Sequence, residues 1–309
     1  MGTPGFAVPT LETLYQMGHQ IAAVLCQPDR PAGRGRNVGF SPVKQKALAL
    51  GLSIYQPETL KTTEIIQGIS KLEPDALVVV AYGLKLPSDI LNIPRYGAVN
   101  LHPSLLPKYR GAAPINHALI NGDKVTGISA ILMNDRMDAG DIVLQEEVPI
   151  RDDENAGELE NRLAALGADL ISRSLEDLMM GTSKLKKQDE LMATSAPKLS
   201  PEDGHINWER TSREICNQIR GMTPRPGAFV MFKSKRLEII KAGMETGNWK
   251  LETGMLPGQV AGINKNMGPA IMTGDGTLIL TMVKPQGKKA MSGGEFIRGY
   301  KPEAGEMLS

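Results

Sequence analysis

Asn100 and His102 stand two residues apart just beyond a small apolar run, Gly97-Ala98-Val99, that reads as the end of a β-strand. Residues i and i+2 of an extended segment point to the same face, so an amide and an imidazole can converge there on one reacting group. The amide donates a hydrogen bond without changing charge, and the imidazole titrates near neutrality. That pairing suits acyl transfer, in which negative charge develops on an oxygen and a proton must move. An isolated Asn-x-His is also compatible with a strand-end histidine bonded only to backbone. Asp138, the third residue of interest, lies in Asp-Ala-Gly-Asp, which by itself reads as a turn.

Hydrophobic periodicity supplies the elements that must position these residues. Short β-type runs occur at 21–26, 53–55, 76–81, 97–101 and 128–132, with helical patterns between them at about 9–18, 42–50, 62–72 and 112–121. Alternating apolar strands and helices predict a Rossmann-like α/β domain, a mostly parallel sheet with helices on both faces. Ligands of such sheets bind beyond the carboxyl ends of the strands, where Asn100 and His102 fall. A long amphipathic helix is expected over 156–180, with Leu159, Leu163, Leu166 and Leu170 at helical spacing. Residues 183–203 are polar and contain Pro197 and Pro201, so they read as a linker. After a helix at about 211–221, short strands separated by Gly-rich turns predict a small, OB-like β-barrel. The domains expected are thus 1–182, a linker at 183–203, and 204–309.

Composition narrows the classes. The 309 residues suffice for two domains, and a charged content of 22% is ordinary for a soluble protein. The two cysteines, Cys26 and Cys216, lack any CxxC or HxxxH neighbour, so no metal site and a reducing, cytoplasmic setting are expected. No apolar run reaches the roughly 18–20 residues of a membrane span. The net charge of +1 is uneven: from residue 204 onward there are 15 Lys+Arg against 9 Asp+Glu, and before it 20 against 25. A basic C-terminal part points to an anionic partner. Between 27 and 46, five basic residues accompany one acidic residue in a Pro- and Gly-rich segment expected to lack regular structure. Aromatics make up only 4%, which favours contact with a phosphate backbone over base stacking.

The stretch Asn-Leu-His-Pro-Ser-Leu-Leu-Pro at 100–107, continued by Lys-Tyr-Arg-Gly-Ala-Ala-Pro-Ile, resembles the signature of formyltransferases that use 10-formyltetrahydrofolate. Met137-Asp138-Ala139-Gly140-Asp141-Ile142 resembles their second signature, and MGTPGFAVP, QPDRPAGRGR, APKLSPEDGHINW, PGAF and QGKKAMS extend the likeness along the chain. The likeness is fullest to the branch whose acceptor is initiator methionyl-tRNA. The resemblance implies catalytic roles for Asn100, His102 and Asp138, with Asp138 orienting the imidazole and raising its pKa. It implies a folate site lined by Ser104, Leu105, Leu106 and Pro107, with the loop before Asp138 walling the pterin. It also implies tRNA contacts from Arg30, Arg34 and Arg36 and from Lys233, Lys235, Arg236, Lys288 and Lys289 in a monomeric enzyme. Rival readings are a sugar-nucleotide amine formyltransferase, a 10-formyltetrahydrofolate hydrolase and an inactive RNA-binding relative. The basic segments speak against the first two, and the intact Asn-His-Asp set against the third.

Departures from the family pattern are Gly5 for an acidic residue, Arg136 for glycine and Arg225 for tryptophan. The family also has a short apolar strand, about five or six residues, ahead of the motif that begins here at Met1. A chain starting there is expected to leave an open strand position and a groove in the core, and to be unstable until the strand is restored.

Overall fold

Capping residues set where the first helices begin. Helix α1 (Val8–Gln16) opens with Pro9 in its first turn, and α2 (Pro42–Ala49) opens on Pro42 behind Ser41, whose hydroxyl accepts from Lys44 N at 3.2 Å. Thr62 caps α3 (Thr63–Ser70) in the same way. The computed structural model describes residues 1–32, 37–244 and 254–309. They fall into two units: 1–114, 125–149 and 160–197 form the first, and 115–124, 150–159 and 198–309 the second. The run expected as a linker is therefore divided. Through Pro197 it is bonded into the first unit rather than left free as its polar composition suggests.

In the first unit β1 (Val24–Leu25) pairs in parallel with β4 (Ile54–Tyr55). A four-stranded sheet contains β5 (Leu77–Val79), β6 (Ala98–His102), β7 (Val125–Leu132) and β8 (Ile142–Pro149), in that order. Only β5 and β6 are parallel there; β7 and β8 run antiparallel. The expected mostly parallel sheet is thus corrected to a mixed one. The consecutive polar residues Gln145, Glu146 and Glu147 break the apolar alternation of β8, so by local pattern the strand resembles a solvated loop. Residues flanking 33–36 form a ribbon of β2 (Arg30–Ala32) and β3 (Asn37–Gly39), so the basic segment is not irregular throughout. Short helices α4 (Ser88–Leu91) and α5 (Pro114–Ile120) precede β6 and β7.

Helix α6 (Ala156–Met180) buries Leu163, Leu170 and Ile171, each such side chain contributing about 1.5–3 kcal/mol. It lies close to β6 because residue 167 is glycine; a Cβ there would sit 2.4 Å from Leu101 Cδ2. Beyond β6, the core of the unit gathers Leu25, Leu77, Val79, Tyr82, Ile90 and Ala98.

Met1 and Gly2 lie between β1 and β5. Gly2 N donates to Leu25 O on one side, and Val80 N donates to Met1 O on the other, both at 2.9 Å. They hold the place of one strand for two residues only. Alongside them is a cavity of about 270 Å³ lined by Leu14, Ala22, Val24, Leu77, Val78 and Leu175.

The C-terminal stretch of the second unit contains α7 (Ser212–Met222), opened by a capping box between Thr211 and Glu214. Its sheet runs β11 (Val260–Asn264), β12 (Gly268–Met272), β13 (Thr277–Pro285), β10 (Lys235–Met244), β9 (Ala228–Phe232), with β14 (Met291–Ser292) beside β13. All these pairings are antiparallel, and among the described residues none joins β9 to β11 to close a barrel. Helix α8 (Gly293–Tyr300) follows, and Phe296 enters the core with Val230, Leu237, Ile239 and Leu280. Among the described residues no helix is long and apolar enough to cross a membrane, and no cluster of His, Cys, Asp or Glu could hold a metal ion.

Filling the cavity beside Met1 should raise stability. Ala23→Val, which adds two methyl groups at the cavity lining, should raise Tm by roughly 2–4 °C per kcal/mol gained, measured by calorimetry. An unchanged or lower Tm would mean that the cavity cannot be filled from this position.

Candidate active site

Strand β6 carries Asn100 and His102 between two neighbours, with Val79 opposite Asn100 on β5 and Ser129 opposite His102 on β7. His102 is 4% exposed. Asn100 is half-buried, and its side-chain amide makes no hydrogen bond to any described residue, which leaves it for a ligand. The imidazole is held on two sides. Its Nε2 lies 2.9 Å from Tyr109 O, and because a carbonyl can only accept, Nε2 carries the proton. Nδ1 lies 3.7 Å from Asp138 Oδ2, beyond hydrogen-bonding reach but within strong Coulombic range.

Burial lowers the His102 pKa; the Asp138 carboxylate and the Tyr109 carbonyl pull upward and do not overcome it. Asp138 acts in the expected direction, but the loss of solvation is larger.

Asp138 adopts a left-handed backbone conformation, φ +51°, and its Oδ2 accepts from Gly111 N at 2.9 Å. The loop reaches this position by crossing the end of β7, and a Cβ at residue 140 would sit 1.7 Å from Leu132 O, so only glycine fits. Asn134 braces the turn by donating to Ala139 O and accepting from Arg136 N. Arg136 donates to Glu190 at 2.8 Å. Together with Arg110 it holds the Glu190 carboxyl down at about 2.

Residues 104–107 form a turn braced from beneath. Ser104 Oγ donates to Lys108 O, and Ser129 Oγ donates to Ser104 O, both at 2.6 Å. Gln145 Nε2 donates to Leu106 O and to Ser129 Oγ. Ser104 and Leu106 are buried, so Leu105 and Pro107, both half-buried, are the members that offer surface to a ligand. Neither Ser129 nor Gln145 carries a signal in the sequence, because each reads as an ordinary polar residue whose partners lie far along the chain.

The basic residues are distributed unevenly. Arg30 is exposed on β2, while Arg34 and Arg36 lie outside the described residues. In the second unit, the β9–β10 turn carries Lys233, the start of β10 carries Lys235 and Arg236, and the turn after β13 carries Lys288 and Lys289. The two turns are neighbours, since Gln286 N donates to Arg236 O at 2.9 Å and Leu237 pairs with Pro285. Lys235, Lys288 and Lys289 are exposed; Lys233 is paired with Glu306, and Arg236 stacks on Phe229 at 3.6 Å.

Two family models match the chain: formyl transferase over residues 1–175, and the formyl transferase C-terminal domain over 198–301. A methionyl-tRNA formyltransferase of Fusobacterium nucleatum is 44% identical over 308 residues, covering 100% of this chain and 98% of its own. The methionyl-tRNA formyltransferase of Bacillus subtilis is 40% identical over 309 residues, covering 100% and 96%. Among solved structures, the sugar 3N-formyl transferase WlaRD superimposes with a TM-score of 0.65 at 18% identity, over 93% of this chain and 97% of its own. HypX from Aquifex aeolicus in complex with tetrahydrofolic acid gives 0.58 at 19% identity, over 76% and 41%. At such identities these two likenesses concern the fold alone.

The tightness at residue 140 makes a direct test. Gly140→Ala should cost about 1–3 kcal/mol in a urea melt, because the loop must move off Leu132, and should displace Asp138 from His102. A variant of unchanged stability would show that the loop is not pinned there.

Proposed function

The chain belongs to the formyl transferase family, and we propose that it transfers a formyl group from 10-formyltetrahydrofolate to the α-amino group of methionyl initiator tRNA. Full-length similarity to methionyl-tRNA formyltransferases supports the substrate pair. At the site, the observation that carries the reading is the unengaged amide of Asn100 beside a buried imidazole.

Asn100 donates to the formyl oxygen as the amine attacks and negative charge develops there; one such donor is worth about 2.7–4 kcal/mol. His102 is neutral at pH 7 because burial lowers its pKa, and Tyr109 fixes its proton on Nε2. Nδ1 therefore has the free lone pair and takes the proton that the amine loses as its bond to the formyl carbon forms. Asp138 stabilises the imidazolium from 3.7 Å. His102 then returns that proton to N10 as the C–N10 bond breaks and the carbonyl re-forms, so the folate leaves neutral. No covalent enzyme intermediate is required, since an aminoacyl ester amine is already nucleophilic near neutrality.

Leu105 and Pro107 face the folate from a turn that Ser104 and Leu106 anchor, and the loop 133–141 walls the pterin. Arg30, Arg34 and Arg36 contact the acceptor stem. Lys235, Lys288 and Lys289 hold phosphates without reading sequence, with smaller contributions from Lys233 and Arg236, which have partners within the protein. The enzyme acts as a cytoplasmic monomer.

Incubation with charged initiator tRNA and 10-formyltetrahydrofolate should yield formylmethionyl-tRNA without release of free formate. Asn100→Ala and His102→Ala should each lower kcat about 100- to 1,000-fold. Formate as the main product, or unchanged turnover in His102→Ala, would overturn the reading.

A further inference from the structure

Residues 183–197 fold back across the active-site loops and are bonded to them at both ends. Lys186 and Ile142 exchange backbone hydrogen bonds of 2.8 and 2.9 Å at the start of β8. At the other end Thr194 N donates to Pro107 O, Arg110 N to Thr194 O, and Ala196 N to Arg110 O, while Thr194 Oγ1 accepts from Tyr109 N. Between these two attachments lies Gln188, every polar position of which is engaged. Its Nε2 donates to Asp138 O and Gly140 O, both at 2.8 Å, and its Oε1 accepts from Arg110 Nε at 3.0 Å and Nη2 at 2.8 Å.

We propose that Gln188 is a positioning residue for the reacting pair. Its amide ties the Asp138 loop to the Tyr109–Gly111 loop, so that Asp138 and the Tyr109 carbonyl keep their places at the two nitrogens of His102. The two loops it joins are the ones that hold the imidazole, one through Tyr109 O and the other through Asp138 Oδ2. Asp138 occupies a left-handed conformation that a residue with a Cβ keeps only when its surroundings over-determine it, and Gln188 captures its carbonyl. Chemistry selects glutamine for this task. A glutamate would set a carboxylate oxygen against two carbonyls, and an asparagine lacks the reach to span both loops. Arg110 is steadied in turn by Glu190, which accepts from both of its terminal nitrogens.

This inference rests on the formyl-transfer reading of Asn100, His102 and Asp138. Gln188→Met keeps the length and volume of the side chain and removes all four hydrogen bonds. In the full-length enzyme it should lower kcat at least 10-fold while KM for the folate donor and for methionyl-tRNA stays within 2-fold. Arg110→Gln should act through the same amide, so the double variant should be no slower than the slower single one. Wild-type kcat in Gln188→Met, losses that multiply in the double variant, or a loss of kcat that tracks loss of folded protein would each overturn the proposal. His102→Ala separates the two claims. If it abolishes turnover while Gln188→Met is neutral, only the positioning role fails; if both are neutral, the reading of the site itself has failed.

Discussion

A neutral imidazole buried between a backbone carbonyl and a carboxylate is the constraint on which the rest of the first unit depends. Burial removes the solvation that would favour a charged ring, so His102 resists protonation. The Tyr109 carbonyl assigns the one proton to Nε2, and Asp138 waits 3.7 Å from Nδ1. Such a ring is poised to accept a proton once and to hold it briefly. Were Asp138 hydrogen-bonded to Nδ1, that nitrogen would carry the ring's proton and could not accept another. Were Asp138 distant, the imidazolium would be unsupported in a poorly solvated site.

Each neighbouring feature serves to keep those three groups in register. Strand β6 fixes Asn100 and His102 on one face because β5 and β7 flank it on both sides. Glycine at 167 lets α6 pack against β6, and glycine at 140 lets the Asp138 loop cross β7. Ser129 and Gln145 brace the turn that follows β6, so its backbone leaves the strand at a set angle towards Tyr109. On the other side of β5, Met1 and Gly2 bond to both β1 and the residue after β5, beside a cavity.

Local signals were legible in the sequence, and long-range ones were not. The Asn100–His102 alternation, the apolar β5 and β6 and the 25-residue α6 all follow from periodicity within a few neighbours. Helix α8 escaped notice because Gly293 and Gly294 open it, although Ser292 and Glu295 spell out its capping box. The direction of β7 depends on where the chain returns after α5, which no local pattern encodes. Gln188 is the clearest case: in a polar run it looks like solvated linker, yet its hydrogen bonds reach residues some 48 to 78 positions away. The sign of the His102 shift was hidden for a similar reason, since burial is a property of the packed fold rather than of the neighbouring residues.

The measurement that bears most directly on this account is an NMR titration of His102 in the full-length protein with ¹⁵N-labelled histidine. The ring should be protonated on Nε2 at pH 7 and should titrate below the unperturbed value of about 6.5. Its folded pKa being depressed, the stability it contributes is present above 6.5 and is lost as pH falls towards the folded value. Asp138→Asn should push the titration lower still, since Asp138 is what pulls it upward. A proton on Nδ1, or a midpoint above 6.5, would contradict the account, because the ring could not then take the amine's proton as described.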